Sequence, residues 1–427
     1  LNAHTGCVMI RPVFPAPWGD TAVAEMAGLQ RFFIFESDAG ANLDSLEEVF
    51  ESLGMVASAE RLHSNLVAKV PPRASVHLSP IGPYEKHRVF RSPSKSNDMQ
   101  SMNDQTVGSG TRLETQLLCA PPSLIAPDDT HFTYQWEHNS TSASLKTKGA
   151  SGAWNLTTGS GSVVIGFLDT GVQLDHPEFS DRVLTGFNTY DPGANAADDD
   201  PESHGTAVAG LAAARGDNDT LIAGVCWECK ILPVKTQDAY GFGNEVRDAT
   251  AIVWAVDHGA DIINISHNFT TSTGPFPVFE AAAMYAHRLG VAIFVSAGNG
   301  GVAPVLYPAS SPYCIAVGAM VNVADGERKR SYGDPLGMNY WLDATQEWGS
   351  SYGSKLDFVA PGCDLVSTTN DSSDNAGSYP TGLFNGSSFA APLAAGIAGL
   401  MKSRDGSLGP EQIRWLMRLS CADIDAA

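Results

Sequence analysis

From about Phe132 onward the chain repeats one arrangement: a short apolar run, then a longer stretch with apolar residues at helical spacing. The runs are Val163–Leu168 (VVIGFL), Lys230–Val234 (KILPV), Asp261–Ile265 (DIINI), Val291–Val295 (VAIFV) and Cys314–Val317. The helical stretches are Thr206–Ala214, Asn244–Asp257, Phe279–Leu289, Phe389–Lys402 and Pro410–Arg418. A strand with one wet face alternates apolar and polar residues, because successive side chains point to opposite sides. These runs do not alternate, so they predict strands buried on both faces. Strands of that kind separated by helices predict a doubly wound, mostly parallel α/β sheet flanked by helices. In such sheets ligands bind beyond the carboxyl ends of the strands, which is where chemistry is to be sought.

Upstream the pattern is different. Arg31–Glu36 (RFFIFE) and Leu66–Val70 (LVAKV) read as strands, Leu43–Leu53 as a helix, and His87–Phe90 as a further short strand. Residues 1–91 therefore predict a small α+β domain. Residues 92–130 are rich in Ser, Asn, Asp, Gln and Pro without apolar period, which predicts a linker containing a processing site. Residues 131–427 form the large domain.

The charge is unevenly spread. Lys and Arg number 26 against 47 Asp and Glu, a net of −21, of which residues 1–120 carry only −3. Such acidity argues against nucleic acid and anionic membrane surfaces as partners, since both need a basic face. No apolar stretch reaches the roughly 18 residues of a membrane span. Seven cysteines are an odd number, so one at least is unpaired in a monomer. Cys226 and Cys229 have CxxC spacing but no second pair nearby, which favours two packed thiols or a local disulfide over zinc. Seven Asn-x-Ser/Thr sequons occur, a short pattern that points only weakly to secretion. No charged-then-apolar leader stands at Leu1, so a secreted precursor would already have lost it.

Four residues sit where chemistry is expected. Asp169 follows VVIGFL at a strand's carboxyl end, where a buried carboxylate needs a partner, though Asp before Thr-Gly also suits a plain turn. His204 opens Ser-His-Gly-Thr before an Ala-rich helix, either as a placed imidazole or as part of a capping turn. Ser388 lies in Asn-Gly-Ser-Ser-Phe-Ala-Ala-Pro, where a helix N-terminus favours a forming oxyanion or is merely capped by a serine. Asn299, in Ser-Ala-Gly-Asn-Gly after VAIFV, offers an amide donor or an Asn-Gly turn. Together they are the acid, imidazole and hydroxyl of a nucleophilic triad, with an oxyanion donor beside them.

The blocks LDTGVQLDHPEF, SHGTAVAGLAAA, SAGNG and NGSSFAAP, in this order, resemble the four sequence blocks of subtilisin-like serine proteases. AGVCWECKILPV and WAVDHGADIINIS between them look like core segments of the same family, and the likeness runs from about Gln135 to Arg418. Gly349-Ser350-Ser351-Tyr352-Gly353 also fits the G-x-S-x-G elbow of α/β-hydrolases, but that fold needs a downstream histidine and the last here is His287. A chymotrypsin-like order using Asp257 or Asp261 would need an all-β barrel, which the pattern does not support.

The resemblance implies a serine endopeptidase acting on protein or peptide substrates, with Asp169, His204, Ser388 and Asn299 as its catalytic set. It implies substrate binding by Ser266, His267 and Asn268 along an edge strand and by Ser296, Ala297 and Gly298. His267-Asn268 replaces the family's more usual Leu-Gly, and Leu306 is expected to narrow the pocket before the scissile bond. Phe389 stands where the family often has Met, which predicts tolerance of peroxide. The N-terminal domain resembles the family's propeptides, implying a secreted zymogen inhibited by its own propeptide. Glu178 and Asp217-Asn218-Asp219 resemble places where the family binds structural calcium; no other cofactor is expected. The rival reading is a non-catalytic binding or regulatory module on the same fold.

Overall fold

A computed structural model describes residues 7–12, 14, 18–27, 29, 32–37, 58–62, 65–69, 125–139, 145–148, 152–269, 274–320, 349–370 and 381–421. The chain divides into two compact units, one of Leu1–Val70 with Leu124–Ala427 and one of Pro71–Ser123. The second unit lies outside the described residues, as do the expected helix Leu43–Leu53 and strand His87–Phe90.

The first unit opens with strand β1 (Cys7–Pro12), helix α1 (Thr21–Ala27) and strands β2 (Phe32–Ser37), β3 (Ser58–Leu62) and β4 (Asn65–Lys69). They pair antiparallel in the order β1-β2-β4-β3. β2 and β4 coincide with the two apolar runs, whereas β3 (SAERL) carries no such run and is recruited by its hairpin with β4. Phe14, Ala24, Ala27 and Leu29 are buried in the same apolar cluster as the helices that cover one face of the main sheet.

The main body follows with α2 (Trp136–Asn139), β5 (Val164–Asp169), β6 (Phe187–Asn188), α3 (His204–Ala213), β7 (Lys230–Lys235), α4 (Glu245–Asp257) and β8 (Ile262–Ile265). It continues with α5 (Pro277–Arg288), β9 (Ala292–Ser296), β10 (Cys314–Met320), β11 (Phe358–Pro361), the hairpin β12 (Leu365–Thr368) and β13 (Thr381–Phe384), α6 (Ser387–Arg404) and α7 (Pro410–Ser420). The sheet order is β11-β10-β9-β8-β5-β7-β6, and every neighbouring pair is parallel. Strands are added to one side of β5 through β7 and β6, and to the other through β8, β9 and β10. The crevice between the ends of β5 and β8 is thus the switch point of the sheet.

Non-alternating strands are satisfied on both faces, as expected. Ile165, Phe167, Ile231 and Phe294 pack under α3 and α6. Leu168, Leu232, Ile263, Ile265 and Val295 pack under α4 and α5. Helix α6 is buried along most of its length, which its small residues permit: a Cβ on Gly396 would come within 2.6 Å of the Val225 side chain. Among the described residues no helix is long and apolar enough to cross a membrane.

Both functional helices start two residues before their apolar periodicity does, at His204 and Ser387. Their first N–H groups are capped by side chains other than the adjacent residue's. For α3, Asp200 Oδ2 accepts from His204 N at 3.0 Å, Thr170 Oγ1 from Gly205 N at 3.0 Å and Asp198 Oδ2 from Thr206 N at 3.0 Å. For α6, Asn299 Oδ1 accepts from Ser387 N at 2.8 Å. Asp198 and Asp200 from the preceding loop, and Thr170 and Asn299 from distant strand ends, do the work of an adjacent capping side chain.

Candidate active site

β5 ends on Asp169, which is fully buried. One oxygen, Oδ1, accepts from Thr170 N at 2.8 Å and pairs with His204 Nδ1 at 2.7 Å. Burial alone would raise this carboxyl, but the adjacent imidazole and the Thr170 N–H outweigh it and hold the group below its usual range. The His204 ring feels the converse. Burial pushes it down, while Asp169, and behind it Asp200 and Asp198, hold it above the ordinary histidine value. Nδ1 being occupied by the carboxylate, Nε2 is the nitrogen left for chemistry.

Thr170 and Asp198, which the sequence reading passed over, lock this arrangement. The fully bonded Asp198 carboxylate takes Thr170 Oγ1 at 2.9 Å and Thr206 Oγ1 at 2.6 Å, tying the end of β5 to the first turn of α3. Gly205 sits between them, and a Cβ there would meet the Gly171 carbonyl at 2.1 Å. The signal that could have found them is the acidic run Asp198-Asp199-Asp200 just before Ser-His-Gly, which reads as charge until the helix start is seen to need it.

Ser388 occupies the first turn of α6, where its backbone is held from two sides. Pro392, four residues on, has no N–H, so the Ser388 carbonyl lacks its helical donor. Ser266 Oγ supplies the replacement at 2.6 Å, and Asn264 Nδ2 in turn donates to that hydroxyl at 2.8 Å. Before Ser388, Ser387 donates through N and through Oγ, both at 2.8 Å, to Asn299 Oδ1. A backbone N–H can only donate, so this bond fixes the oxygen end of the Asn299 amide and leaves Nδ2 as the free donor. Gly386, at φ 141°, brings the chain past that nitrogen; a Cβ on it would lie 3.1 Å from Nδ2.

His204, Ser388 and Asn299 line one cleft of about 650 Å³ together with Ser266, His267 and Asn268. The segment 266–268 continues past the end of β8, where ladder pairing with β5 and β9 has stopped, so its backbone edge is open to an added strand. Ser296, Ala297 and Gly298 are placed behind this wall, all buried. Their backbone is already engaged: Ser296 O accepts from Asn268 Nδ2 at 2.7 Å, Ala297 O from Leu306 N at 3.1 Å and Gly298 O from Ser351 N at 2.8 Å. Leu306 lines the cleft and lies over Gly298, where a Cβ would meet its Cδ1 at 2.5 Å. Phe389 is buried with its ring 5.2 Å from that of His204 and 5.0 Å from that of Phe384.

Cys226 and Cys229 form a disulfide. Away from the cleft, Glu178 is buried and accepts from Thr220 Oγ1 at 2.9 Å and Asn218 Nδ2 at 3.2 Å. Burial pushes its carboxyl up to about 7 and that of nearby Asp129 to about 6. Among the described residues no three acidic, imidazole or thiol groups close around one point, so a cation held here would rely on amide and backbone oxygens as well.

A carboxylate-paired imidazole, a serine and an amide donor around one cleft are parts that acyl transfer can use. Residues 160–424 fit the family model Peptidase_S8, the subtilase family. A thermophilic serine proteinase of Bacillus sp. (strain AK1) is 33% identical over 324 residues, 74% of this chain and 70% of that protein. An extracellular protease of Xanthomonas campestris pv. campestris is 28% identical over 472 residues, covering 100% of this chain and 74% of that protein. The solved structure of a protease from Pseudoalteromonas arctica PAMC 21717 superposes with a TM-score of 0.57 at 25% identity, covering 71% of this chain and 94% of its own. With most of its length in that family model and a serine proteinase matched over more than two thirds of both chains, the chain is a member of the subtilase family, a serine endopeptidase.

Proposed function

We propose that hydrolysis proceeds through an acyl-enzyme on Ser388. His204 Nε2 takes the Ser388 Oγ proton as Oγ attacks the scissile carbonyl carbon, and Asp169 holds the imidazolium that forms. Asn299 Nδ2 and the Ser388 N–H stabilise the oxyanion. His204 then gives the proton to the departing amine nitrogen. In the second half a water loses its proton to the same nitrogen and attacks the ester carbon, and His204 returns that proton to Ser388 Oγ as the acyl–oxygen bond breaks. The observation that carries this reading is the Asp169–His204 contact of 2.7 Å at a strand end that opens on the cleft holding Ser388 and Asn299.

The substrate is a protein or peptide segment laid as an added strand along Ser266–Asn268. The protein is made as a zymogen: residues 1–91 act as propeptide and inhibitor, and a cut falls within 92–130. The relative from Xanthomonas is named as extracellular, and the Cys226–Cys229 disulfide suits an oxidising compartment, both favouring secretion. Structural calcium would be held by Glu178 and the loop Asp217-Asn218-Asp219, with Asp129 beside them, and would need the Asn218 amide to turn its oxygen in place of the Nδ2 that donates to Glu178; it takes no part in the chemistry.

A fluorophosphonate probe tests the reading. Labelling of the active protein but not of Ser388→Ala is expected, with loss of peptidase activity in the variant. Absence of labelling after the 92–130 segment has been cut would leave a non-catalytic module as the better account. A purified protein that is full-length and fully active would refute the zymogen.

A further inference from the structure

The cleft wall contains a second carboxylate–imidazole pair that the acyl-transfer mechanism does not use. His267 Nε2 lies 2.7 Å from Asp248 Oδ2, which comes from the first turn of α4. The imidazole is 11% exposed and the carboxylate 0%. We propose that Asp248 and His267 are specificity-determining residues, presenting the imidazole end of an ion pair to the substrate strand and so favouring an acidic side chain at the residue that lies over His267. This rests on the reading of the cleft as the substrate site.

The argument is electrostatic. A carboxylate as deeply buried as Asp248 is costly unless a cation compensates it. Oδ1 has no hydrogen-bond partner and His267 Nδ1 has none either, so the two opposite charges are each other's main compensation. The charged groups acting on His267 are Asp248 from α4, Asp169 from β5 and His204 from α3. Burial pushes the ring down, but the two carboxylates prevail and keep it protonated above the ordinary histidine range. Because the carboxylate is fully buried and Nε2 and Nδ1 are turned inward, the imidazole meets the cleft through its ring edge, which carries the pair's positive charge toward a ligand; the other charged groups lining the cleft, Asp200, Glu202 and His204, lie with it around the same space. Its position matters equally, since His267 lies next to Ser266, which holds the Ser388 carbonyl, and Asn268, which is tied to Ser296. A large apolar side chain set there would instead face a polar surface.

The test is a set of peptides differing only by Glu, Gln or Lys at each of the four residues before the scissile bond, assayed for kcat/KM with the active protein. At one position Glu is expected to exceed Gln by about two- to fivefold, with Lys poorest, the scale of a weak charge contact near a surface with a cation already paired on its other side. The Glu:Gln ratio should fall toward one as alkaline pH removes the imidazole proton; His204 titration cancels from a ratio. His267→Leu should abolish the preference, and the pH series on wild type decides the matter should that variant not fold. No charge preference at any position, a preference for Lys, or a Glu preference that survives alkaline pH or His267→Leu overturns the proposal. Turnover of the Gln peptides tests the protease reading separately, and its complete absence would overturn both.

Discussion

Asn299 serves two masters, and separating them tests the site's logic. Its Oδ1 accepts from Ser387 N and Ser387 Oγ, both at 2.8 Å, and so caps α6; its Nδ2 is the proposed donor to the oxyanion. Replacing Asn299 by Ala removes both functions. Loss of an oxyanion donor costs about 10²–10³-fold in kcat, about 2.7–4 kcal/mol of transition-state stabilisation. Stranding the two Ser387 donors costs a further about 1–3 kcal/mol of fold stability, from two ordinary hydrogen bonds. Asn299→Asp separates the effects, because a carboxylate still accepts from Ser387 but donates nothing and repels the oxyanion. Steady-state kinetics on a peptide amide and thermal melting of both variants are the assay. Both variants should lose kcat with KM little changed, while the Asp variant melts near wild type and the Ala variant clearly below it. A kcat within tenfold of wild type for the Ala variant, or a loss carried entirely by KM, would refute the donor role. Equal melting of the two variants would refute the cap.

Further outcomes follow from the same geometry. Asp169→Asn should lower kcat about 10⁴-fold at neutral pH by releasing the imidazole's tautomer, and wild-type kcat/KM should rise with pH through a His204 value above the ordinary one; an acid limb below that value refutes the coupling. The raised His204 also stabilises the fold fully below its unfolded value, a contribution lost as pH rises through the folded value. Glu178 and Asp129 are raised carboxylates, so without a cation their contribution falls as pH rises from their ordinary values of 4.5 and 3.8 through about 7 and about 6. Added calcium should therefore raise the melting temperature more at pH 7.5 than at pH 5, and a chelator that changes nothing at pH 7.5 removes the calcium site. Finally, the aromatic Phe389 beside His204 has no thioether to oxidise, so dilute peroxide should spare activity; rapid inactivation traced to the cleft by mass spectrometry would count against it.

Those parts of the fold and the site that depend on local pattern were legible in the sequence, and those that depend on contact between distant residues were not. The five apolar runs became β5, β7, β8, β9 and β10 because burial on both faces leaves a mark on every residue of a strand. β6, with two residues, and β3, without an apolar run, exist through their partners and leave no such mark. The same division holds inside the site. Asp169, His204, Asn299 and Ser388 announce themselves because each follows or opens an element whose period is readable. Their supports do not. The helix starts at His204 and Ser387 were hidden because their first N–H groups go to Asp200, four residues upstream, and to Asn299, 88 residues upstream, and not to an adjacent serine. Pro392 could be read as a break in α6, yet what it accomplishes appears only when Ser266, 122 positions earlier than Ser388, is found bonded to the carbonyl it releases. His267 shows the boundary most plainly. Read alone it is an odd residue after a strand; once its nitrogen is 2.7 Å from a buried carboxylate nineteen positions upstream, it becomes one half of a carboxylate–imidazole pair. A residue's type can be read from the chain, but its charge is set by what the fold places against it.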